Sequence, residues 1–153
     1  MTLPAQLDLA DEAATARLGA SLASALRPGE AICLTGPLGA GKSTLARALV
    51  RALTRPDEDV PSPTFTLVQF YETAAFPLAH FDLYRLTGAD EAFEIGLDEA
   101  LDEGAALIEW PQRLEGRLPP DRLDIEISLE DGGETRRARL TPHGAWKERT
   151  LEC

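Results

Sequence analysis

Short apolar runs alternate along this chain with longer amphipathic ones, and that alternation predicts its elements. Ala31-Ile32-Cys33-Leu34-Thr35 is an apolar run long enough for a buried strand. From Lys42 to Leu53, leucines at 45, 49 and 53 recur at i, i+4 and i+8, which predicts a helix with one apolar face. Upstream, Leu3, Leu7 and Leu9 predict a strand over 3–9, and Asp11 is placed to cap a helix over 12–26 with Ala14, Leu18, Leu22, Ala25 and Leu26 on one side. Pro28-Gly29 turns that helix into the strand that follows. Phe65 to Tyr71 is β-branched and aromatic and reads as a strand. Leu78-Ala79-His80-Phe81-Asp82 and Ala105-Ala106-Leu107-Ile108-Glu109 are two more, each ending on a carboxylate. Arg122 to Glu130 alternates cleanly, with Leu123, Ile125, Ile127 and Leu129 facing one way and Asp124, Glu126, Ser128 and Glu130 the other. Asp131-Gly132-Gly133 then turns the chain into Glu134 to Leu140, a hairpin, and Thr141 to Cys153 ends in a short helix with Trp146 packed inward.

The stretch between the first buried strand and its helix carries the sharpest chemistry. Gly36-Pro37-Leu38-Gly39-Ala40-Gly41-Lys42-Ser43, followed by Thr44, fits the phosphate-binding P-loop pattern, and it stands where that pattern must stand, after a strand and opening a helix. Glycines let the backbone curl and approach a phosphate without Cβ clashes. Loop amides and the helix N-terminus then face the anion. Lys42 supplies a mobile point charge for the β- and γ-phosphates, and the Ser43 hydroxyl can ligate Mg²⁺. Thr44 occupies the place where a dinucleotide fingerprint needs its third glycine, so that alternative is disfavoured.

With 153 residues the chain has room for one domain with a real core. The pattern as a whole predicts a three-layer α/β, P-loop NTPase-like domain over residues 1–153 with a mainly parallel sheet, to which the hairpin adds antiparallel strands. No apolar run is long enough to span a membrane, no signal-peptide pattern opens the chain, and two cysteines make no framework, so the expected compartment is the reducing cytoplasm. The formal charge of -11 argues against the chain gripping DNA or RNA alone. Lysine occurs only at 42 and 147 among fifteen basic residues. Asparagine is absent, so the guanine-reading Asn-Lys-x-Asp motif is absent too, and ATP is favoured over GTP by elimination.

Other residues carry competing readings. Ser62-Pro63-Thr64 is either a sensor of γ-phosphate and Mg²⁺ in the loop after the P-loop helix or a Ser/Thr turn entering a strand, and spacing alone favours the turn. Asp82 and Glu109, at the ends of their strands, either support Mg²⁺ or water in the crevice beyond the sheet or are helix caps or surface acids. His80 shares a strand face with Asp82 and reads as a satisfied, partly buried histidine. Between Arg85 and Arg113 stand eight acids and no base, expected as solvated helix faces, with a docking surface for a basic partner as the alternative. Arg136, Arg137 and Arg139 suggest either a phosphate-gripping lid or cross-strand ion pairs with the acidic strand opposite, and the pairs need nothing else.

Taken together, GPLGAGKST (36–44), SPTFTLV (62–68), HFDLYRL (80–86), Phe93-Glu94-Ile95-Gly96-Leu97 and IEWPQR (108–113) resemble the TsaE family, the small bacterial P-loop ATPases of tRNA threonylcarbamoyladenosine synthesis. The motifs keep their order and cover most of the chain between 36 and 113. The resemblance implies an ATP-binding and ATP-hydrolysing component that keeps a transferase cycling with TsaB and TsaD, and meets tRNA only through that complex. It implies that Lys42 contacts phosphate, that Ser43 and Glu109 hold Mg²⁺, that Asp82 orders water or metal, that Trp110 shapes the site and that Thr64 takes the switch position. Pro37 in the loop, and Ser43 where threonine is also familiar, are mild departures, and serine keeps the needed hydroxyl. Arg85, in HFDLYRL, is either structural or an arginine finger in cis. A small-molecule kinase and a nucleotide-gated binding module without turnover remain the alternatives from other classes.

Overall fold

The apolar run Ala31–Thr35 becomes the middle strand of a seven-stranded sheet and is buried over its first four residues. The computed structural model describes residues 4–37, 41–61, 66–133 and 135–151. In chain order its elements are β1 (Gln6–Leu9), α1 (Glu12–Ala25), β2 (Ala31–Thr35), α2 (Lys42–Leu53), β3 (Val68–Tyr71), β4 (Leu78–Asp82), α3 (Asp90–Glu94), α4 (Leu97–Glu103), β5 (Ala105–Glu109), β6 (Arg122–Glu130) and β7 (Thr135–His143). Short 3₁₀ turns follow β5 at Pro111–Leu114 and β7 at Gly144–Glu148.

The strands lie in the order β1-β7-β6-β2-β5-β4-β3. Strands β6, β2, β5 and β4 run parallel, and the flanks turn antiparallel: β3 against β4, β7 against β6, and β1 against β7. The expected parallel centre with an added hairpin is therefore what forms.

Side chains in register on neighbouring strands share a face of the sheet. One face carries Ile32 and Leu34 of β2, Leu107 of β5, Ile125 and Ile127 of β6, and Ala138 and Leu140 of β7. It is covered by α1 through Leu18 and Leu22 and by α2 through Leu45 and Leu49. The other face carries Ala31, Cys33, Phe81, Ala106 and Ile108, covered by Ala92 of α3 and Leu97 of α4. Helices on both faces of the sheet make the three layers.

Asp11 caps α1 as expected, accepting from the Ala14 amide at 2.8 Å. The buried stripe of α1 is Thr15, Leu18, Gly19, Leu22 and Ala23. It keeps the expected Leu18 and Leu22 but adds Thr15, Gly19 and Ala23, and Gly19 is where α1 closes on α2: a Cβ there would lie 2.7 Å from Ala48 Cβ. β3 is shorter than its β-rich sequence predicts, since Leu67 takes a φ of 69° just before it. β7 is longer, because nine-residue β6 pairs along its whole length, from Arg122↔His143 to Glu130↔Thr135. That leaves only a 3₁₀ turn for the tail, with Trp146 fully buried as expected. Arg149 ties the tail down, pairing twice with buried Glu30 at 2.5 and 2.7 Å beneath the entry to β2 and lying 4.5 Å from the Trp146 ring.

Candidate functional site

The glycine loop leaves β2 at Gly36 and meets α2 at Gly41, and both glycines hold positive φ, 145° and 104°. Gly36 is pressed against β6: a Cβ there would run into the carbonyl oxygen of Ile127. Gly41 is the N-cap of α2 in left-handed conformation, with no side chain of its own to cap the helix. The first amides of a helix have no intrahelical acceptor, and together with the helix dipole they favour an anion at this end. Leu38, Gly39 and Ala40 lie outside the described residues, as do Ser62 and Thr64.

Lys42, the first residue of α2, is only 6% exposed, whereas Ser43 is exposed and Thr44 half-buried. The Lys42 ammonium rests 4.3 Å from the centroid of the Trp110 ring. Trp110 reaches this place through its backbone. It follows β5 at φ 60° and ψ 50°, a left-handed conformation that costs a non-glycine residue roughly 1–2 kcal/mol. Its N–H donates back to Leu34 O at 3.4 Å, which folds the chain over the end of β2. Tyr84 packs on Trp110 with ring centroids 4.8 Å apart, and the Arg113 guanidinium lies 5.6 Å from the Tyr84 ring. Lysine, indole, phenol and guanidinium thus form one cation–aromatic stack beside the loop.

The carboxylates come from sheet register. Leu34 of β2 pairs with Glu109 of β5, and Glu109 in turn pairs with Asp82 of β4. Both acids point to the α2 face, as does His80, two residues below Asp82. Asp82 and Glu109 are each 7% exposed, so neither is a surface acid, and neither caps a helix. Asp82 accepts from the Tyr84 amide at 3.1 Å, which fixes the turn leaving β4. His80 is more deeply buried than expected, at 2%, and its Nε2 lies 2.8 Å from Glu109 Oε2. It is also only half satisfied: its Nδ1 is buried without a hydrogen-bond partner among the described residues.

The fold therefore gathers Gly36, Gly41, Lys42, Trp110, Glu109, His80 and Asp82 at one end of the sheet. Arg85 is exposed in the loop beyond Asp82. Tyr84 and Arg113 were not legible as site residues, although an aromatic two residues after a strand-end acid is a usable signal. The cross-strand ion-pair expectation holds for Arg137, which meets Glu130 of the facing strand at 3.9 Å as well as Asp8 of β1 at 3.1 Å, and for Arg139, which meets Glu126 at 3.8 Å. Arg136 goes to the other face, next to Gly41. Beneath the sheet's second face, burial first and Asp124 next push the Cys33 thiol well above its ordinary range, so it is no nucleophile. Seven of the eight acids between Arg85 and Arg113 lie on the short helices α3 and α4, and all of these but half-buried Glu91 are exposed.

Comparison with known proteins agrees with this arrangement. Residues 9–138 match the family profile described as threonylcarbamoyl adenosine biosynthesis protein TsaE. Proteins named tRNA threonylcarbamoyladenosine biosynthesis protein TsaE are similar over most of their length. The one from Aquifex aeolicus is 42% identical, covering 86% of this chain and 92% of the relative. The one from Bacillus subtilis is 39% identical, covering 86% and 79%. The crystal structure of YdiB from Bacillus subtilis superposes with a TM-score of 0.74 at 29% identity, covering 91% of this chain and 85% of that one. A profile match over most of the chain, with relatives above one-third identity and the same fold, places this protein in the TsaE family of threonylcarbamoyl adenosine biosynthesis proteins.

Proposed function

We propose that this chain is a single-domain, cytoplasmic P-loop ATPase of tRNA threonylcarbamoyladenosine biosynthesis that binds ATP·Mg²⁺, hydrolyses it slowly alone, and turns over faster with TsaB and TsaD. The transfer to tRNA belongs to the partners; this chain resets the complex. One observation carries this: the strand that feeds the glycine loop lies in register with the strand that ends in buried Glu109, with Lys42 on the neighbouring Trp110 ring.

In this proposal the loop amides and Lys42 hold the phosphates. Lys42 is poised for the task because a cation leaning on an indole face can move to a nearby anion at modest cost. The donor set suits Mg²⁺, which wants hard oxygens and takes few of them from protein. Ser43 offers a hydroxyl and Glu109 a carboxylate, and among the described residues no group of three or more His, Cys, Asp or Glu could hold a metal by itself. When bound, the metal would neutralise charge on the β- and γ-phosphates. Glu109 is kept in place by His80. Asp82, one strand further out, orders the water whose oxygen bonds to the γ-phosphorus as the bond to the β–γ bridging oxygen breaks. Trp110 and Tyr84 wall the site on the Lys42 side. Phosphoryl transfer gains about 10³–10⁵ in rate from a well-placed arginine supplied in trans. A domain awaiting such a group would turn over slowly.

Steady-state phosphate release tests this, measured for the chain alone and with TsaB and TsaD added. Lys42→Ala is expected to abolish the rate nearly completely. Lys42→Arg should not restore it, because a planar fork replaces a compact ammonium. Equal rates with and without partners would end the partner-gated proposal. A preference for GTP in competition would refute the assignment of ATP.

A further inference from the structure

The alternation along β7 divides its three arginines between two faces. Arg137 and Arg139 share a parity, and both reach acids on neighbouring strands. Arg136 has the other parity. It stands in line with buried Ala138 and Leu140, on the face that α1 and α2 cover, opposite Leu129 of β6 and Leu9 of β1. Because β7 runs antiparallel to β6, its first residues lie where β6 ends, past the end of β2 on the side where the glycine loop leaves it. The approach is close: a Cβ built on Gly41 would lie 3.7 Å from Cδ and 3.9 Å from Nε of Arg136. The guanidinium is steadied by Nη1, which donates to Gly133 O at 3.1 Å in the hairpin turn.

We propose that Arg136 is a second cation of the nucleotide site, contacting the phosphate chain from the side of the C-terminal hairpin. The proposal rests on the loop being the ATP site. Lys42 and Trp110 stand on the β5 side of β2, and Arg136 stands on the β7 side, so the loop is flanked by a cation on each side. The chemistry suits the place. A long side chain on the apolar parity lays its stem against Gly41 and can keep its charged head in water. A guanidinium offers five donors in a plane that matches phosphate oxygens two at a time. In a chain with a formal charge of -11, a polyphosphate needs local cations more than most ligands do. Arg136 thus binds in cis from a segment of the chain distant from the P-loop, which makes the hairpin part of the site.

Calorimetric titration of ATP·Mg²⁺, ADP·Mg²⁺ and AMP into the full chain tests this, with wild type, Arg136→Met, Arg136→Lys and Arg139→Ala compared. Methionine keeps the stem and loses the charge, whereas lysine keeps the charge and loses the fork. Losing a hydrogen bond to a charged group should weaken ATP and ADP by about tenfold in Arg136→Met, with a smaller loss for AMP and partial recovery in Arg136→Lys. Arg139→Ala should bind as wild type, and the nucleotide-free melting temperatures should agree. Wild-type affinity for ATP in Arg136→Met would overturn the proposal and leave Arg136 as a cover for the loop. Equal losses in the Met and Lys variants, with lowered nucleotide-free stability, would do the same. An AMP loss as large as the ATP loss would refute the phosphate contact. Failure of the wild-type chain to bind ATP would refute the P-loop site itself, and this proposal with it.

Discussion

His80 and Glu109, on neighbouring parallel strands, meet at 2.8 Å between Nε2 and Oε2 in surroundings almost sealed from water. An ionised carboxylate can only accept, so Nε2 carries the hydrogen and the histidine orients the acid. Removing one partner of a buried hydrogen bond to a charged group costs about 1.5–3 kcal/mol. His80→Ala should therefore lower the melting temperature by roughly 3–12 °C, taking about 2–4 °C per kcal/mol for a chain of this size. His80→Gln, whose amide can still donate, should recover part of the loss. Calorimetric melting of the three proteins decides it, and an unchanged His80→Ala midpoint would show that the pair contributes nothing.

Gly36→Ala should uncouple the loop from the sheet. The residue has a φ of 145°, and an added Cβ would meet the carbonyl of Ile127, backbone that cannot swing aside. Alanine at a positive-φ glycine costs more than about 1 kcal/mol even without a clash. Gly88→Ala is the control, since nothing stands within 4 Å of its Cβ position. Chemical denaturation should show Gly36→Ala destabilised and Gly88→Ala near wild type, with ATP binding lost only in the first. An unperturbed Gly36→Ala would mean that the loop does not pack on β6.

Buried, continuous elements were the most legible in the sequence. The bounds of β2, α2, β4, β5 and β6 coincide with their apolar runs, because burial on one or both faces leaves a period that little else produces. The hairpin's extent and the tail were less so, since β7 stops where β6 stops, and that is a property of pairing. At the site, the P-loop and the two strand-end acids could be read locally. The His80–Glu109 bond could not, because it joins residues 29 apart through sheet register. Neither could Trp110's left-handed backbone, which no local preference predicts. Arg136 is half visible: its parity with Ala138 and Leu140 is in the sequence, but its approach to Gly41 depends on where the start of β7 lies in the sheet.

Isolated tRNA binding should be undetectable at physiological salt. A formal charge of -11 repels a polyanion, and Arg137 and Arg139, the outward arginines of the hairpin, already pair with Asp8, Glu130 and Glu126. Binding that relies on phosphate contacts also weakens linearly in log K with log salt. Filter binding of tRNA across a salt series is the measurement. Tight binding by the lone chain, falling steeply as salt rises, would contradict this and assign it a direct tRNA contact.

The two carboxylates should separate in a Mg²⁺ titration. Register sets their distance from the loop: Glu109 lies on β5, directly beside the P-loop strand, and Asp82 on β4, one strand further away. Neighbouring strands are about 4.8 Å apart, more than twice the roughly 2.1 Å of a Mg²⁺–oxygen bond. A metal held by the Ser43 hydroxyl at the start of α2 would therefore be held directly by Glu109 rather than Asp82, with Asp82 acting through water. Glu109→Ala should therefore raise the Mg²⁺ concentration needed for half-maximal phosphate release as well as lower kcat. Asp82→Ala should lower kcat with the Mg²⁺ requirement little changed. His80→Gln, which disturbs only the orientation of Glu109, should shift the Mg²⁺ titration in the same direction as Glu109→Ala but less far. A titration moved by Asp82→Ala and left alone by Glu109→Ala would reverse the ranking and put the metal one strand further out.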